Sequence, residues 1–244
     1  MKKQLSVFNL MATSSIYKIT GLFGILGIIE FFLFRRAMLA GPNPGTGTFH
    51  IEYVFEQSFA LWLFRIALLV LTIFLCLTGY ETSSKQGYTL KRLSISEKQV
   101  FVFQAFYNTL CYLLLWSIQL LFSFILGFYF VKNAPAEYVT NQTLFLAFYR
   151  NDFLHALLPF EDVMVWVKNI LLFLSLGICA AGFTYMQRKG KRAYELIGIL
   201  GTTVLLFTAP LGQLEHIVFS ILLCIFCAGV TILRVLKKEG DDEI

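Results

Sequence analysis

The amino-acid sequence predicts an all-α integral membrane protein with six transmembrane helices, both termini cytoplasmic and an N-terminal helix on the membrane surface. Composition carries the first part of that expectation. Residues of the set AVILMFWYC make up 57% of the 244 positions and charged residues 14%, where soluble domains have about 45–50% apolar residues (Gly included) and about 25% charged. Mean hydropathy is +0.71, and 26 Phe, 11 Tyr and 3 Trp offer bulky surface to lipid or an apolar ligand. The second observation is a series of six apolar windows near bilayer length. The third is the gathering of Lys and Arg on alternate connections. The same composition excludes a disordered chain, a collagen-like chain and a disulfide scaffold.

Taken in order, residues 1–17 place Leu5, Phe8, Ala12 and Ile16 at helical spacing, with Val7 and Leu10 off the stripe. They are expected as an interfacial helix on the inner surface or as a tail. The first span covers 19–34. Lys2 and Lys3 ahead of an apolar run have the outline of a secretory signal, but Glu30 interrupts the run and Arg35-Arg36 closes it where small residues would stand, so the run is expected to be retained. Residues 41–47, with two Pro and three Gly, read as a turn-rich outer loop. Spans two and three cover 58–80 and 100–131; the third exceeds what a bilayer needs and is expected to tilt or project.

The outer loop 132–162 contains an apolar-aromatic stretch, 144–158, ending at Pro159. It is expected as an interfacial helix over the outer mouth or as a loop resting on the membrane. Spans four to six cover 163–185, 194–209 and 217–236. The fifth is short and stops at Pro210, as in a broken or re-entrant turn, which is tolerated at membrane depth only where protein covers the freed backbone. The chain is thus one transmembrane domain over 1–244, ending in a solvated acidic tail. Rows of small residues (Gly21, Gly24 and Gly27; Gly177 and Ala181; Ser220, Cys224 and Ala228) mark close helix approaches, either inside the chain or against a second copy.

Orientation follows from the cations. Lys2, Lys3, Lys18, Lys85, Lys91, Arg92, Lys98, Arg188, Lys189, Lys191, Arg192, Arg234, Lys237 and Lys238 lie on the side of the termini. Arg35, Arg36, Lys132 and Arg150 lie on the other. Both termini are therefore expected in the cytoplasm; the expected setting, a bacterial plasma membrane, does not follow from the charges. The formal charge of +5 is a topology signal, and no nucleic-acid partner is expected.

Several chemistries find no motif. A GxxxxGK[ST] loop, HExxH and GxSxG are absent from the sequence, so ATP hydrolysis and the commonest motif-marked hydrolase mechanisms are not assigned to this chain, and it is not expected to be an enzyme. Cys224 and Cys227 have metal-ligand spacing without a second ligand pair, and His50, His155 and His216 are scattered; no metal site is expected. All five cysteines fall within apolar stretches, so no structural disulfide is expected.

The segment between spans two and three is the most specific. It runs from Glu81 to Gln99 and carries a short amphipathic pattern, with Tyr88, Leu90 and Leu93 apolar and Lys85, Lys91 and Arg92 basic. Such a segment transmits force only where something docks on it; anchoring to anionic lipid is the other expectation. In Glu81, Gly87, Thr89-Leu90, Leu93 and Ser94-Ile95-Ser96 it resembles the permease subunits of ABC-2-type transporters, with Ser94 where that family more often has Pro. The resemblance extends to the plan of an N-terminal surface helix, six spans, a long third span, a short fifth and no nucleotide site. It implies that Glu81, Gly87, Tyr88, Thr89, Leu90, Arg92 and Leu93 form a coupling helix seated on a separate ATP-binding cassette subunit, and that ATP and Mg act there with no cofactor in this chain. It further implies a second permease subunit, identical or homologous, and export of an amphipathic or hydrophobic cargo such as a peptide antibiotic, drug or lipid. Length and plan resemble the small permeases of lantibiotic-immunity systems. The competing class is a membrane protein without an ATPase: an intramembrane enzyme, or a sensor or immunity protein acting by binding.

Three ionisable residues fall inside spans, where each costs about 2.5–3.5 kcal/mol at the bilayer centre unless paired or hydrated. Glu30, Arg65 and Lys168 sit at matched distances from the outer side. Two expectations follow: the three line an outward-facing vestibule, or Glu30 pairs with Arg65 while Lys168 snorkels.

Overall fold

The structure, a computed structural model, describes residues 2–42, 49–81, 96–140, 142–160, 162–208 and 214–237. All regular structure among them is helical: α1 (Lys2–Leu39), α2 (Ile51–Gln57), α3 (Ala60–Glu81), α4 (Glu97–Asn133), α5 (Thr143–Arg150), α6 (Asp152–Leu157), α7 (Val163–Arg188), α8 (Glu195–Leu206) and α9 (Leu214–Leu236), with a 3-10 turn at Ala136–Tyr138. Among the described residues five helices, α1, α3, α4, α7 and α9, are long and apolar enough to cross a membrane, while α8 is a shorter apolar helix. The protein is an all-α membrane protein on that ground. The expected fifth span shrinks to the 12 residues of α8, about 18 Å.

Proline sets the breaks. Pro42, Pro135 and Pro159 fall between helices. Inside a helix each would remove a hydrogen bond and clash with the preceding turn, at about 3 kcal/mol. Where a helix starts under a cap, the chemistry is visible. Ser96 accepts from the Gln99 backbone N–H while the Gln99 side chain accepts from the Ser96 N–H, a reciprocal box that fixes the first turn of α4.

Three elements depart from the expectation. The surface helix expected over 1–17 is not set off from the first span: α1 runs unbroken from Lys2 to Leu39, about 57 Å. Its first half lies along α4, where the Phe8 ring is 5.4 Å from that of Tyr107 and the Ser15 hydroxyl bonds the Tyr107 hydroxyl. Second, a short helix, α2, precedes the second span and buries Ile51, Val54 and Phe55. It turns into α3 through Ser58 and Phe59, and Phe59 has φ 56°, a left-handed conformation that costs an L-residue about 1–2 kcal/mol. Third, the stretch 144–158 is not one continuous helix. It forms the two short helices α5 and α6, which bury Ala147, Phe148 and all of 153–157.

α7 is the hub, packing on α3, α4, α8 and α9. Glycine allows two of these approaches. A Cβ on Gly177 would meet Thr109 of α4, and one on Gly182 would meet the Thr231 methyl of α9. α1 packs on α2, α3 and α4; Gly27 faces the Phe122 ring, while Gly21 and Gly24 meet nothing within 4 Å in this chain. The rows on α7 and α9 are therefore internal seams, with Ala181, Ser220 and Cys224 buried, and the row on α1 is internal only at Gly27.

At one end of the bundle the starts of α4 and α8 meet the ends of α7 and α9. Glu97 pairs with Lys189 at 3.8 Å, Lys98 donates to the Leu236 carbonyl at 3.0 Å, and Arg234 pairs with Glu195 at 2.6 Å. At the opposite end α4 overhangs. Its Trp116 ring lies 5.3 Å from that of Trp166, in the first turn of α7, so most of the 17 residues that follow Trp116 in α4, about 20 Å, project past the start of α7. Around this overhang α1, α2 and α5 assemble an aromatic cap, through Phe34 with Phe55 (5.0 Å), Phe49 with Phe130 (5.3 Å) and Phe124 with Phe148 (4.8 Å).

Candidate functional site

The strongest local chemistry lies where the cap meets the bundle. α8 ends there, and the last carbonyls of a helix have no intrahelical partner. Lys168 supplies it: its ammonium, 1% exposed, donates to the carbonyls of Leu206 (3.2 Å) and Phe207 (2.9 Å). A cation at a helix C-terminus also complements the macrodipole. Arg65 reaches the same end, donating from Nη2 to the Thr208 hydroxyl at 3.4 Å while its guanidinium lies 4.8 Å over the Trp62 ring. Phe207 is wedged between Phe64 (4.9 Å) and Phe173 (5.9 Å). Two of the three charges thus converge on the end of a short helix, Lys168 on its backbone carbonyls and Arg65 on the Thr208 hydroxyl.

Glu30 does not join them, and the expected pair with Arg65 is absent. Glu30, 1% exposed, accepts from the Gln119 side-chain amide at 2.7 Å. Gln119 follows Trp116 by less than one turn of α4, so Glu30 stands at about the level of α7's first turns. Neither Lys168 nor Glu30 is on an open surface; Arg65 is half-buried.

A second buried helix end adjoins this layer. α6 starts under Asn151, whose Oδ1 accepts from the N–H groups of Phe153 and Leu154 at 3.1 Å each. Its last carbonyls and that of Pro159 just beyond are taken by side chains of the long helices: Asn169 Nδ2 donates to Ala156 O (2.7 Å), Trp116 Nε1 to Leu157 O (3.1 Å) and Trp166 Nε1 to Pro159 O (2.6 Å). The stretch is therefore pinned into the bundle mouth. His155, buried, has Nε2 3.5 Å from an Asp162 carboxylate oxygen. Asn169→Leu leaves the Ala156 carbonyl unpaired, a loss of about 1–2 kcal/mol. Amide exchange in 153–158 is expected to speed up while exchange in α7 stays unchanged; equal protection in both proteins would contradict the pinning.

The coupling residues expected from the sequence lie at the other end. Glu81 is the last residue of α3; Gly87, Tyr88, Thr89, Leu90, Arg92 and Leu93 fall outside the described residues. What borders them is described. α4 begins at its capping box, and its first turn is held to the connection after α7 and to the end of α9 by the Glu97 and Lys98 contacts given above. Arg188 adds a bond from Nη2 to Gln104 Oε1 at 3.3 Å.

Among the described residues no group of three or more His, Cys, Asp or Glu is assembled that could hold a metal ion. All five cysteines are free thiols, four of them buried. Sequence reasoning missed Gln119, Asn169, Trp116 and Thr208, each of which matters only through a partner on another helix. The one signal open to it was a polar residue inside an apolar span, as Gln119 and Asn169 are. No family model matches the chain, and neither does any curated protein or solved structure.

Proposed function

We propose that this chain is the membrane-spanning permease subunit of an ATP-driven transporter of the ABC-2 type, paired with a second permease and two separate ATPase subunits, and exporting an amphipathic or hydrophobic cargo. The observation that carries the proposal is the segment 81–96. Its residues resemble the coupling segment of that family, and it is bordered by the end of α3 on one side and by the capped start of α4 on the other. α4 is tied at its first turn to α7 and α9, so a push delivered between Glu81 and Ser96 has three long helices to act on. The short α8 and the overhanging α4 fit the plan of a short fifth and a long third span. ATP and Mg belong to the partner in this scheme, and the aromatic-rich apolar faces suit a greasy cargo in a plasma membrane.

Copurification tests the proposal. The chain expressed with its neighbouring reading frames is expected to bring down a Walker-motif ATPase, and cysteines introduced by Tyr88→Cys or Leu90→Cys are expected to crosslink to it. A complex that never contains an ATPase would overturn the transporter reading and leave a membrane protein acting by binding.

A further inference from the structure

We propose that Glu30 is an exchangeable proton site, and that its proton holds the seam between α1 and α4 closed. Four observations lead there. Glu30 is 1% exposed and Gln119 0%, so neither side chain is open to bulk solvent. The Gln119 amide donates to Glu30 Oε1 at 2.7 Å, yet Glu30 Oε2 and Gln119 Oε1 are both buried without a hydrogen-bond partner. Both are acceptors, and an amide and a carboxylic acid are complementary: the amide N–H donates to one acid oxygen, and the acid O–H needs an acceptor such as the amide oxygen. One proton on Oε2 turns an orphan acceptor into a donor that the other orphan, Gln119 Oε1, can accept from. Without that proton the seam would hold a bare carboxylate with one hydrogen bond, an arrangement buried charges avoid.

Among the described residues no counter-charge takes the proton's place. Against α1 pack α2, α3 and α4. Their charged and titratable groups toward this end are Glu52, Tyr53 and Glu56 on α2, Arg65 on α3, and Tyr112, Tyr129 and Lys132 on α4. Arg65 is engaged with Thr208 and Trp62, and Tyr112 donates to Thr72 at 2.9 Å. None forms an ion pair or hydrogen bond with Glu30, whose partner is Gln119. The seam is bordered by the Gly27 backbone against the Phe122 ring and by the Phe31 ring 5.4 Å from that of Tyr129. The step is a simple equilibrium: the Oε2–H bond breaks, the proton passes to water entering as the seam opens, and the bonding electrons stay on the carboxylate.

The test uses the full chain in lipid nanodiscs, wild type against Glu30→Gln and Gln119→Leu. Infrared spectra across a pH series are expected to contain a protonated-carboxyl C=O band that Glu30→Gln lacks, that shifts in Gln119→Leu through loss of its hydrogen-bond partner, and that disappears reversibly as pH rises. In a background where the five native cysteines are replaced, a Phe31→Cys, Tyr129→Cys pair reports the seam. Its disulfide yield is expected to fall roughly tenfold as the band disappears, since charging a buried unpaired group is strongly unfavourable, and to stay flat when Glu30→Gln is added. A band that persists at every pH marks a permanently neutral structural acid and overturns the proposal. So does absence of the band at every pH, or the same crosslinking profile with and without Glu30.

Discussion

Lys168→Met lowers the unfolding temperature of the purified protein by about 5–10 °C. The ammonium makes two hydrogen bonds to backbone carbonyls at the end of α8, and bonds to a charged donor contribute about 1.5–3 kcal/mol each. Interhelical bonds in membrane proteins average only about 0.6 kcal/mol, because in the unfolded reference the groups find other partners. The carbonyls at a helix end have no intrahelical alternative, which places this pair above that average. Removing a fully buried ammonium also removes its desolvation penalty, so the net loss is about 2–3 kcal/mol. Such a loss corresponds to the stated shift at about 2–4 °C per kcal/mol in a protein of this size. Arg65→Met is the control: its bond is long at 3.4 Å and its side chain half-buried, so a shift below about 2 °C is expected. Thermal unfolding followed by the fluorescence of Trp116 and Trp166, close to the site, reads both. Equal shifts for the two variants would remove the special role of the α8 end.

Gly177→Val has the larger effect and prevents assembly of the native bundle. A Cβ at Gly177 collides with the Thr109 hydroxyl oxygen and comes within 2.8 Å of the Thr109 backbone N and 2.9 Å of its Cα. The hydroxyl can rotate away; the backbone cannot. α4 and α7 would have to separate along one of the two most extensive contacts in the chain. Overpacking of this kind costs about 1–3 kcal/mol and more where backbone must move, and a second methyl on Val adds to it. The expected readout is loss of the monodisperse peak in detergent, against Gly24→Val, whose site meets nothing within 4 Å and whose stability is expected within about 0.5 kcal/mol of wild type. A folded, monodisperse Gly177→Val protein would show that the seam is looser than drawn.

The sequence made much of this architecture legible, for reasons that also mark its limits. Runs of apolar residues bounded by proline and by cations locate the long helices, because lipid imposes a length and Pro a boundary. The overlong third span and the short fifth were both readable from length, and they became the overhang of α4 and the truncated α8. Within a helix that is apolar all round there is no polar face to indicate what packs where, so the α1–α4 and α7–α9 pairings were invisible. α2 was missed because 7 residues give less than two periods of any pattern. The continuity of α1 through Lys18 was missed because a charge at that place resembles a boundary, although nothing in the backbone breaks there. The three charges were found by their cost in lipid. Their partners were not, since Gln119 and the carbonyls of 206–207 are close only after folding.

The capped start of α4 and its far end in the aromatic cap belong to one uninterrupted helix of 37 residues, about 55 Å long. A rod of that length amplifies rotation. Pivoting by roughly 5° about the Glu97–Lys189 contact displaces its distal end by about 5 Å, a full side-chain diameter, while Thr109, which packs on Gly177, moves by only about a third of that. α5 and α6 rest on this helix, and the Leu157 carbonyl is bonded to Trp116 part-way along it. Small angular play at one face of the bilayer is therefore sufficient to shift the elements seated in the mouth at the other, without any messenger inside the core.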